Sequence, residues 1–366
     1  MPLTCPSRLP PNVGGSPPSV PEAEARKEPQ PAGLHPSDQS EPGISRRRRG
    51  RGFSYQGPDG RPVRDPAILE RIKALVIPPA WTDVWICASP DGHLQAVGTD
   101  TAGRRQYRYH DVWREQQDRA KFDRVLEVAE RLPAFRKAVD EQLHGRGLTR
   151  ARVLATAARL LDIGFFRIGG ESYDTYGLAT LRMEHIVCAN GIVTCSYQAK
   201  GAILREVEVA DPAACKVLRA LKAAGAEGDE LLRYRRAGGW ADIRSEDINE
   251  YLRESIGYEV TAKDFRTWHA TVLAAVGLAV SRPAAKEGTA SKQRAIVRVM
   301  REVAEYLGNT PTVARASYVD PRVVEAYDQD KTIAAALTEL GADADFGQLA
   351  TAGPVEQAVI RLIRAV

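Results

Sequence analysis

Four residues of this chain have types and settings suited to chemistry: Arg167, Lys200, Arg266 and Tyr318. Arg167 follows an apolar helical run and precedes the pair Gly169-Gly170. That setting suits a side chain held at a backbone turn facing a ligand, not a solvated charge. Lys200 falls at or beside a hairpin tip, where it can either reach a partner or be a plain turn lysine. Arg266 sits in the first turn of a helix opened by Thr261-Ala262-Lys263-Asp264, which has the form of a capping box. A solvent-facing Arg there meets the positive end of the helix dipole, so it is better explained by an anion. Tyr318 closes the stretch 308–318, around which the chain is organised. Gly308-Asn309 ends a helix in which Ile296, Val299, Met300, Val303, Tyr306 and Leu307 recur at helical spacing. Thr310-Pro311 opens the next segment, with Pro suited to a first helical turn. Burial preference alone makes Tyr318 a half-buried side chain at a helix end.

The elements that must hold these residues are legible in outline. Residues 1–52 are read as a disordered tail, rich in Pro, Gly and Ser, because such a segment buries too little apolar surface to offset its ordering entropy. The tail ends in a basic arm, Arg46 to Arg49 and Arg51, suited to tracking phosphates or simply to being solvated. Residues 53–116 are read as a β-rich domain, with strands at 85–88 and 94–97 around the turn Pro90-Asp91-Gly92. Alternation in the next strand sends Gln106, Arg108 and His110 to one face, and Tyr107 and Tyr109 to the other. Arg for phosphate, Gln for base edges and Tyr for sugar or phosphate suit a nucleic-acid surface. The same tyrosines equally suit the core of an edge strand. Residues 117–165 read as helical, with an interruption at Pro133. Asn190-Gly191 is a strong hairpin cue, and Lys200 lies at the next reversal. Residues 233–240 carry Arg235 in a basic, aromatic, Gly-rich stretch that reads as a loop along a phosphate backbone. Ser245 reads as the N-cap of a short helix.

Composition sets bounds. The 366 residues suffice for two domains and a tail, and 43% are hydrophobic, ordinary for a globular protein. The net charge of +4 mildly favours an anionic partner. Five cysteines form no CxxC pair, and the odd count argues against a disulfide framework, so a reducing cytoplasm is expected. No apolar stretch is long enough to span a bilayer, and no secretory signal is evident. No His, Cys and carboxylate residues cluster at metal-ligand spacing, so no metal is expected.

Taken together, Arg167-Ile168-Gly169, the hairpin Lys200, Lys263-Asp264-Phe265-Arg266-Thr267-Trp268 and Gly308-Asn309-Thr310-Pro311 through Tyr318 resemble the poxvirus-like type IB DNA topoisomerases, in particular their bacterial branch. The segments 77–86 and 103–109 are similar to that family's N-terminal domain. The resemblance covers roughly residues 53–330. It implies an α+β architecture: a small β-rich N-terminal domain and a mainly helical catalytic domain of the type IB topoisomerase and tyrosine recombinase kind. These would form a C-shaped clamp around duplex DNA. It implies a catalytic domain over 117–330, followed by a helical C-terminal extension, 331–366. Tyr318 would be the nucleophile, Arg167 and Arg266 would clamp phosphate oxygens, and Lys200 would be the general acid. Asn309 stands where the poxvirus enzymes have His, and would add one neutral donor. At the hairpin tip the family often has a second Gly-Lys or a His, whereas this chain continues Gly201-Ala202-Ile203-Leu204-Arg205. The implied reaction is strand cleavage through a 3′-phosphotyrosine and religation, without ATP, metal or cofactor. The implied partner is double-stranded DNA, bound by a monomer in the cytoplasm at the nucleoid.

Two other readings share these residues. A tyrosine recombinase uses an Arg, Lys, Arg, Tyr set but usually has His-x-x-Arg and acts as a tetramer. A catalytically inactive DNA-binding clamp would keep the fold alone.

Overall fold

The computed structural model describes residues 33–170, 176–199, 203–225, 229–281, 289–343 and 353–366. Of the expected tail, residues 1–32 lie outside the described residues. The chain divides into two compact units, Met1–Ala120 and Lys121–Val366. In the first, β1 (Ile44–Arg49), β2 (Gly52–Gln56), α1 (Pro66–Ala74), β3 (Thr82–Ile86), β4 (Leu94–Thr99) and β5 (Arg105–Tyr109) follow in turn. The strands pair antiparallel in the order β2-β1-β3-β4-β5. Ile44, Val84, Ile86 and Ala96 meet Trp81 and Ile72 in a small core. Helix α1 starts at a capped Pro: the Asp65 side chain accepts from the Ala67 N–H at 2.8 Å.

The basic run 46–49 is not part of a disordered tail; it is a strand inside this sheet. The arginines pair with β2, Arg47 opposite Ser54, while the start of the strand, Ile44 and Ser45, pairs with β3. Strand formation is therefore satisfied by main-chain groups, whatever charge the side chains carry. Arg46 is also consumed internally. Its Nη2 donates to the carbonyls of Trp81 at 2.7 Å and Pro78 at 3.1 Å, and its guanidinium lies 4.2 Å from the Phe53 ring centroid. Arg47, Arg48, Arg49 and Arg51 are exposed and hold no such partner among the described residues.

Helix α2 (Asp111–Leu143) begins in the first unit and continues into the second. It carries on past the interruption expected at Pro133. Pro133 is exposed, while Leu132, Phe135, Val139 and Leu143 are buried. A helical Pro costs about 3 kcal/mol, and each large apolar side chain buried contributes roughly 1.5–3 kcal/mol, so the packed face wins.

The second unit continues with α3 (Arg150–Gly164), β6 (Ile186–Ala189), β7 (Ile192–Ala199), β8 (Ile203–Ala210) and α4 (Pro212–Ala223). Then come β9 (Arg233–Arg236), β10 (Gly239–Asp242), α5 (Ser245–Ile256) and α6 (Ala262–Ser281). The chain closes with α7 (Thr289–Leu307), α8 (Pro311–Ser317), α9 (Pro321–Asp328), α10 (Ala334–Asp343) and α11 (Pro354–Arg364). Strands β6, β7 and β8 form one antiparallel sheet. Asn190 and Gly191 take φ of 50° and 78°, as a two-residue hairpin turn requires. The basic stretch 233–240, expected as a loop, is the hairpin β9–β10. Ser245 is the first residue of α5 and not its cap. Arg244 holds the N-cap position, and its N–H donates to the Asp247 carboxylate at 2.9 Å.

Helix α6 is the spine of this unit, with Phe265, Trp268, Val272 and Ala275 all buried. The Phe265 ring meets Phe135 of α2 at 5.6 Å. Trp268 Nε1 donates to Glu356 Oε1 of α11 at 2.8 Å. Arg136 donates to both oxygens of Asp162, at 2.7 and 2.9 Å, and to Glu356 Oε1 at 2.9 Å. The buried carboxylates are thus matched by fixed donors, the condition under which buried charge is tolerated. Val355, Ala358, Val359 and Ile363 of α11 lie in the same core.

Candidate active site

The site is assembled on the C-terminal end of α7. Gly308, at φ 61°, turns the chain out of the helix. Its N–H donates to the Glu305 carbonyl at 3.0 Å, and the Asn309 N–H donates to the Ala304 carbonyl at 2.9 Å. This cap leaves the next three carbonyls without helical partners. Three arginines from three different places take them. Arg205 Nη2, on β8, donates to the Tyr306 carbonyl at 2.9 Å. Arg266 Nη2, on α6, donates to Leu307 at 2.8 Å, and Arg167 Nη2 donates to Gly308 at 2.9 Å. A helix C-terminus carries partial negative charge, so it is a favourable seat for guanidinium groups. Arg266 Nη1 also donates to the Phe165 carbonyl, and Arg167 Nη2 to Asn309 Oδ1.

Local structure fixes each of these side chains. Phe165 ends α3 in the left-handed region, φ 55°, which redirects the chain toward Arg167. The Arg167 carbonyl accepts from the Leu178 N–H at 2.8 Å, and Ile168 from Ala179 at 2.7 Å. Gly169 and Gly177 must be glycines here: a Cβ on Gly177 would lie 2.5 Å from the Gly169 Cα. Of the capping box expected at the start of α6, the Asp264 side-chain half forms, while Thr261 Oγ1 donates to Asp264 Oδ2 and does not accept from the Asp264 N–H. The Thr261 N–H donates to Asp264 Oδ2 at 2.8 Å, and the Asp264 N–H to the Thr261 carbonyl at 2.9 Å. It sets the phase of Lys263 and Arg266, which share a face at a spacing of three.

Helix α8 delivers Tyr318. Thr310 caps it, accepting from the Val313 N–H at 3.4 Å, and Pro311 occupies its first turn. Tyr318 follows the last helical residue, with its N–H on the Ala314 carbonyl at 3.0 Å. Thr271 of α6 then pins the position. Its Oγ1 accepts from the Asp320 N–H at 3.1 Å, and its single proton faces the carbonyls of Thr267 at 2.9 Å and Tyr318 at 3.3 Å. The phenol ring has Arg266 Cζ 5.5 Å and Lys263 Nζ 5.9 Å from its centroid. Burial pushes the Tyr318 hydroxyl up, but the charges of Arg266, Lys263 and Arg167 outweigh it and hold the group below its ordinary value. Burial draws the Lys263 ammonium down. It also draws the Arg266 guanidinium down to about 10, which leaves Arg266 charged at neutral pH.

Three donors in the site are buried without an acceptor among the described residues: Arg205 Nε, Arg266 Nε and Asn309 Nδ2. Because Arg167 occupies Asn309 Oδ1, the amide nitrogen is the end left over. A buried unmade hydrogen bond costs about 1–3 kcal/mol, which a bound anion would recover. Arg167, Tyr176, Tyr197, Arg205, Arg266 and Gly308 line one cleft. A phenol with a lowered pKa, surrounded by guanidiniums with spare donors, can attack phosphorus and stabilise the charge that builds on the phosphoryl oxygens.

The structure brings Arg167, Arg266, Asn309 and Tyr318 together. Lys200 lies outside the described residues. Gln106, Tyr107, Arg108 and Tyr109 belong to the first unit's sheet. There Gln106 Nε2 donates to Asp100 Oδ2 at 2.9 Å, Arg108 Nη2 donates to the Val76 carbonyl at 2.9 Å, and the two tyrosine rings stack at 6.3 Å. Arg235 lies on β9, 5.5 Å from the Trp240 ring centroid. Sequence reasoning missed Lys263, Arg205 and Thr271. The spacing of Lys263 to Arg266 was a usable signal. Arg205 was visible only through strand register, and Thr271 only through tertiary contact.

Comparison with known proteins agrees with this chemistry. Residues 110–343 match the family model described as the catalytic core of eukaryotic DNA topoisomerase I. Residues 52–100 match the N-terminal domain of bacterial DNA topoisomerase IB. A DNA topoisomerase 1B of Acanthamoeba polyphaga mimivirus is 28% identical over 298 residues, covering 79% of this chain and 88% of that protein. Among solved structures, a post-cleavage complex of the XerH site-specific recombinase with a palindromic difH substrate aligns at a TM-score of 0.35. That alignment has 15% identity and covers 54% of this chain and 50% of the recombinase. The chain belongs to the type IB DNA topoisomerase family.

Proposed function

We propose that this topoisomerase cuts one strand of duplex DNA with Tyr318 and reseals it, using Arg167, Arg266 and Asn309 to stabilise the transition state. The Tyr318 oxygen attacks phosphorus, a 3′-phosphotyrosyl bond forms, and the bond to the 5′-oxygen breaks. The 5′-oxygen leaves as a hydroxyl after gaining a proton, for which Lys200 is the proposed donor. Rejoining is the same exchange in reverse. One ester replaces another, so no ATP is consumed. The observation that carries the assignment is the Tyr318 ring set 5.5 Å from Arg266 and 5.9 Å from Lys263. Arg266 and Arg167 offer planar forks to the non-bridging oxygens, and Asn309 Nδ2 supplies one neutral donor. All these groups come from one chain, which supports a monomer as the active form. Among the described residues no helix is long and apolar enough to cross a membrane. The proposed place of action is chromosomal DNA in the cytoplasm.

The test is relaxation of supercoiled plasmid with EDTA present and ATP absent. The native chain is expected to relax plasmid of either supercoil sign. A strict requirement for a divalent cation or for ATP would overturn the reading.

The β1–β2 hairpin, together with Gln106, Tyr107, Arg108, Tyr109 and Arg235, is proposed to touch the duplex outside the chemistry. Replacing Arg47, Arg48, Arg49 and Arg51 with Gln keeps the strand pairing. Every phosphate no longer neutralised should flatten the slope of log affinity against log salt by about 0.9. With one to four phosphates released, a decrease of about 1–4 in that slope is expected in fluorescence anisotropy titrations. The cleavage rate at saturating DNA should be unchanged. An unaltered slope would show that the hairpin does not touch DNA.

A further inference from the structure

Arg205 is held as Arg167 and Arg266 are held. The three side chains take three consecutive carbonyls at the end of α7, those of Tyr306, Leu307 and Gly308, at 2.8 to 2.9 Å. A guanidinium spent on one carbonyl retains further N–H donors. In Arg205 the Nε is buried and has no partner among the described residues, as in Arg266. Its Nη1 lies 2.8 Å from the point a Cβ would occupy on Gly308, so any side chain there would displace it. Strand register sets Arg205 opposite Tyr197, and both residues line the cleft that Arg167 and Arg266 line. Glu206 and Glu305 also line that cleft, but among the described residues neither forms an ion pair with Arg205.

Gathering three guanidiniums in one cleft is costly without an anion. Burial pulls the Arg205 guanidinium below its ordinary value, with the positive charge of Arg167 adding to it and the neighbouring Tyr197 hydroxyl opposing it. The cluster is stabilised when a phosphodiester enters it. Asn309, in the same site, brings a hydrogen bond but no charge. Arg205 is the neighbouring group that can bring one.

We infer that Arg205 is a third phosphate-binding arginine of the cleavage site, supplying beside Gly308 and Asn309 the positive charge that Asn309 lacks. This rests on the cleavage reaction proposed above. A charge of this kind acts on the oxygens as they gain negative charge, so its loss falls on the chemical step more than on binding.

The experiment measures the rate of adduct formation on duplex DNA at saturating protein, with the complex trapped by detergent, and DNA affinity separately. Arg205→Ala is expected to slow adduct formation about 10–100-fold, with affinity changed less than about threefold, and Arg205→Lys to recover part of the rate. In the double variant Arg205→Ala with Asn309→His, a protonated imidazole should replace the missing charge. Its rate should climb back as pH falls through about 6.5, whereas Arg205→Ala alone should show no such recovery. Arg205→Lys keeps the charge and most of the length, and serves as the control should the Ala variant be unstable. A native rate in Arg205→Ala, a loss confined to affinity, or a double variant with the same pH profile as Arg205→Ala would each overturn the inference. No adduct from the native chain would overturn the cleavage reading itself, a separate and recognisable result.

Discussion

Tyr318→Phe is expected to form no covalent adduct with DNA and to lose at least about 10⁴-fold in plasmid relaxation, the scale seen when a covalent nucleophile is removed from an otherwise intact site. The change deletes one oxygen. The main-chain contacts that position the residue, with Thr271 Oγ1 and the Ala314 carbonyl, survive, and only the hydroxyl's bond with Arg266 is lost. DNA affinity should therefore hold, and the melting temperature should move little. Gel-shift titration and a detergent-trapped adduct assay check both halves. The proposed nucleophile also predicts a pH dependence. Arg266, Lys263 and Arg167 hold the Tyr318 hydroxyl below the ordinary phenol value, so the cleavage rate should rise with pH and level off below that value. A variant that keeps near-native relaxation would mean that another group attacks.

Arg266 should be the costliest donor to lose. It is only 3% exposed and is fixed by two carbonyls, those of Phe165 and Leu307, which leaves Nε for the substrate. Removing one preorganised donor of this kind costs about 10²–10³ in rate. Arg266→Ala also removes the largest positive influence on the Tyr318 hydroxyl. Its pH–rate curve should therefore shift to higher pH, and at neutral pH the total loss should be about 10³-fold or more. Arg266→Lys preserves a charge but cannot span both carbonyls, so it should recover the pH shift better than the rate. Single-turnover cleavage measured across pH separates the two effects. Equal losses in both variants with no shift in the curve would point to damaged packing and not to a clamp.

Much of the site was legible because its parts carry local punctuation. Gly308 stops α7, Thr310-Pro311 starts α8, and the capping box sets α6, so Arg266, Asn309 and Tyr318 could be placed on element ends from sequence. Asn190-Gly191 fixed the hairpin in the same way. What was not legible depends on groups that meet only after folding. The carbonyls of Tyr306, Leu307 and Gly308 orient Arg205, Arg266 and Arg167, and no local pattern shows that a helix end will face three arginines. Lys263 was masked by its place inside a recognised motif. The basic strand β1 was misread because side-chain charge was weighed and backbone pairing could not be seen. Pro133 was given the weight of a helix breaker because the apolar face opposite it, including Leu132 and Phe135, had no visible partner until α6 packed there.

The most direct measurement is the chemical identity of the trapped linkage. The native chain would be trapped on duplex DNA, digested with trypsin and nuclease, and the nucleotide-bearing peptide sequenced by mass spectrometry. The account predicts a single modified residue, Tyr318, joined to a 3′-phosphate, with a free 5′-hydroxyl on the other side of the nick. A linkage at Tyr176, Tyr306 or any other residue, or a 5′-phosphate on the protein, would contradict it.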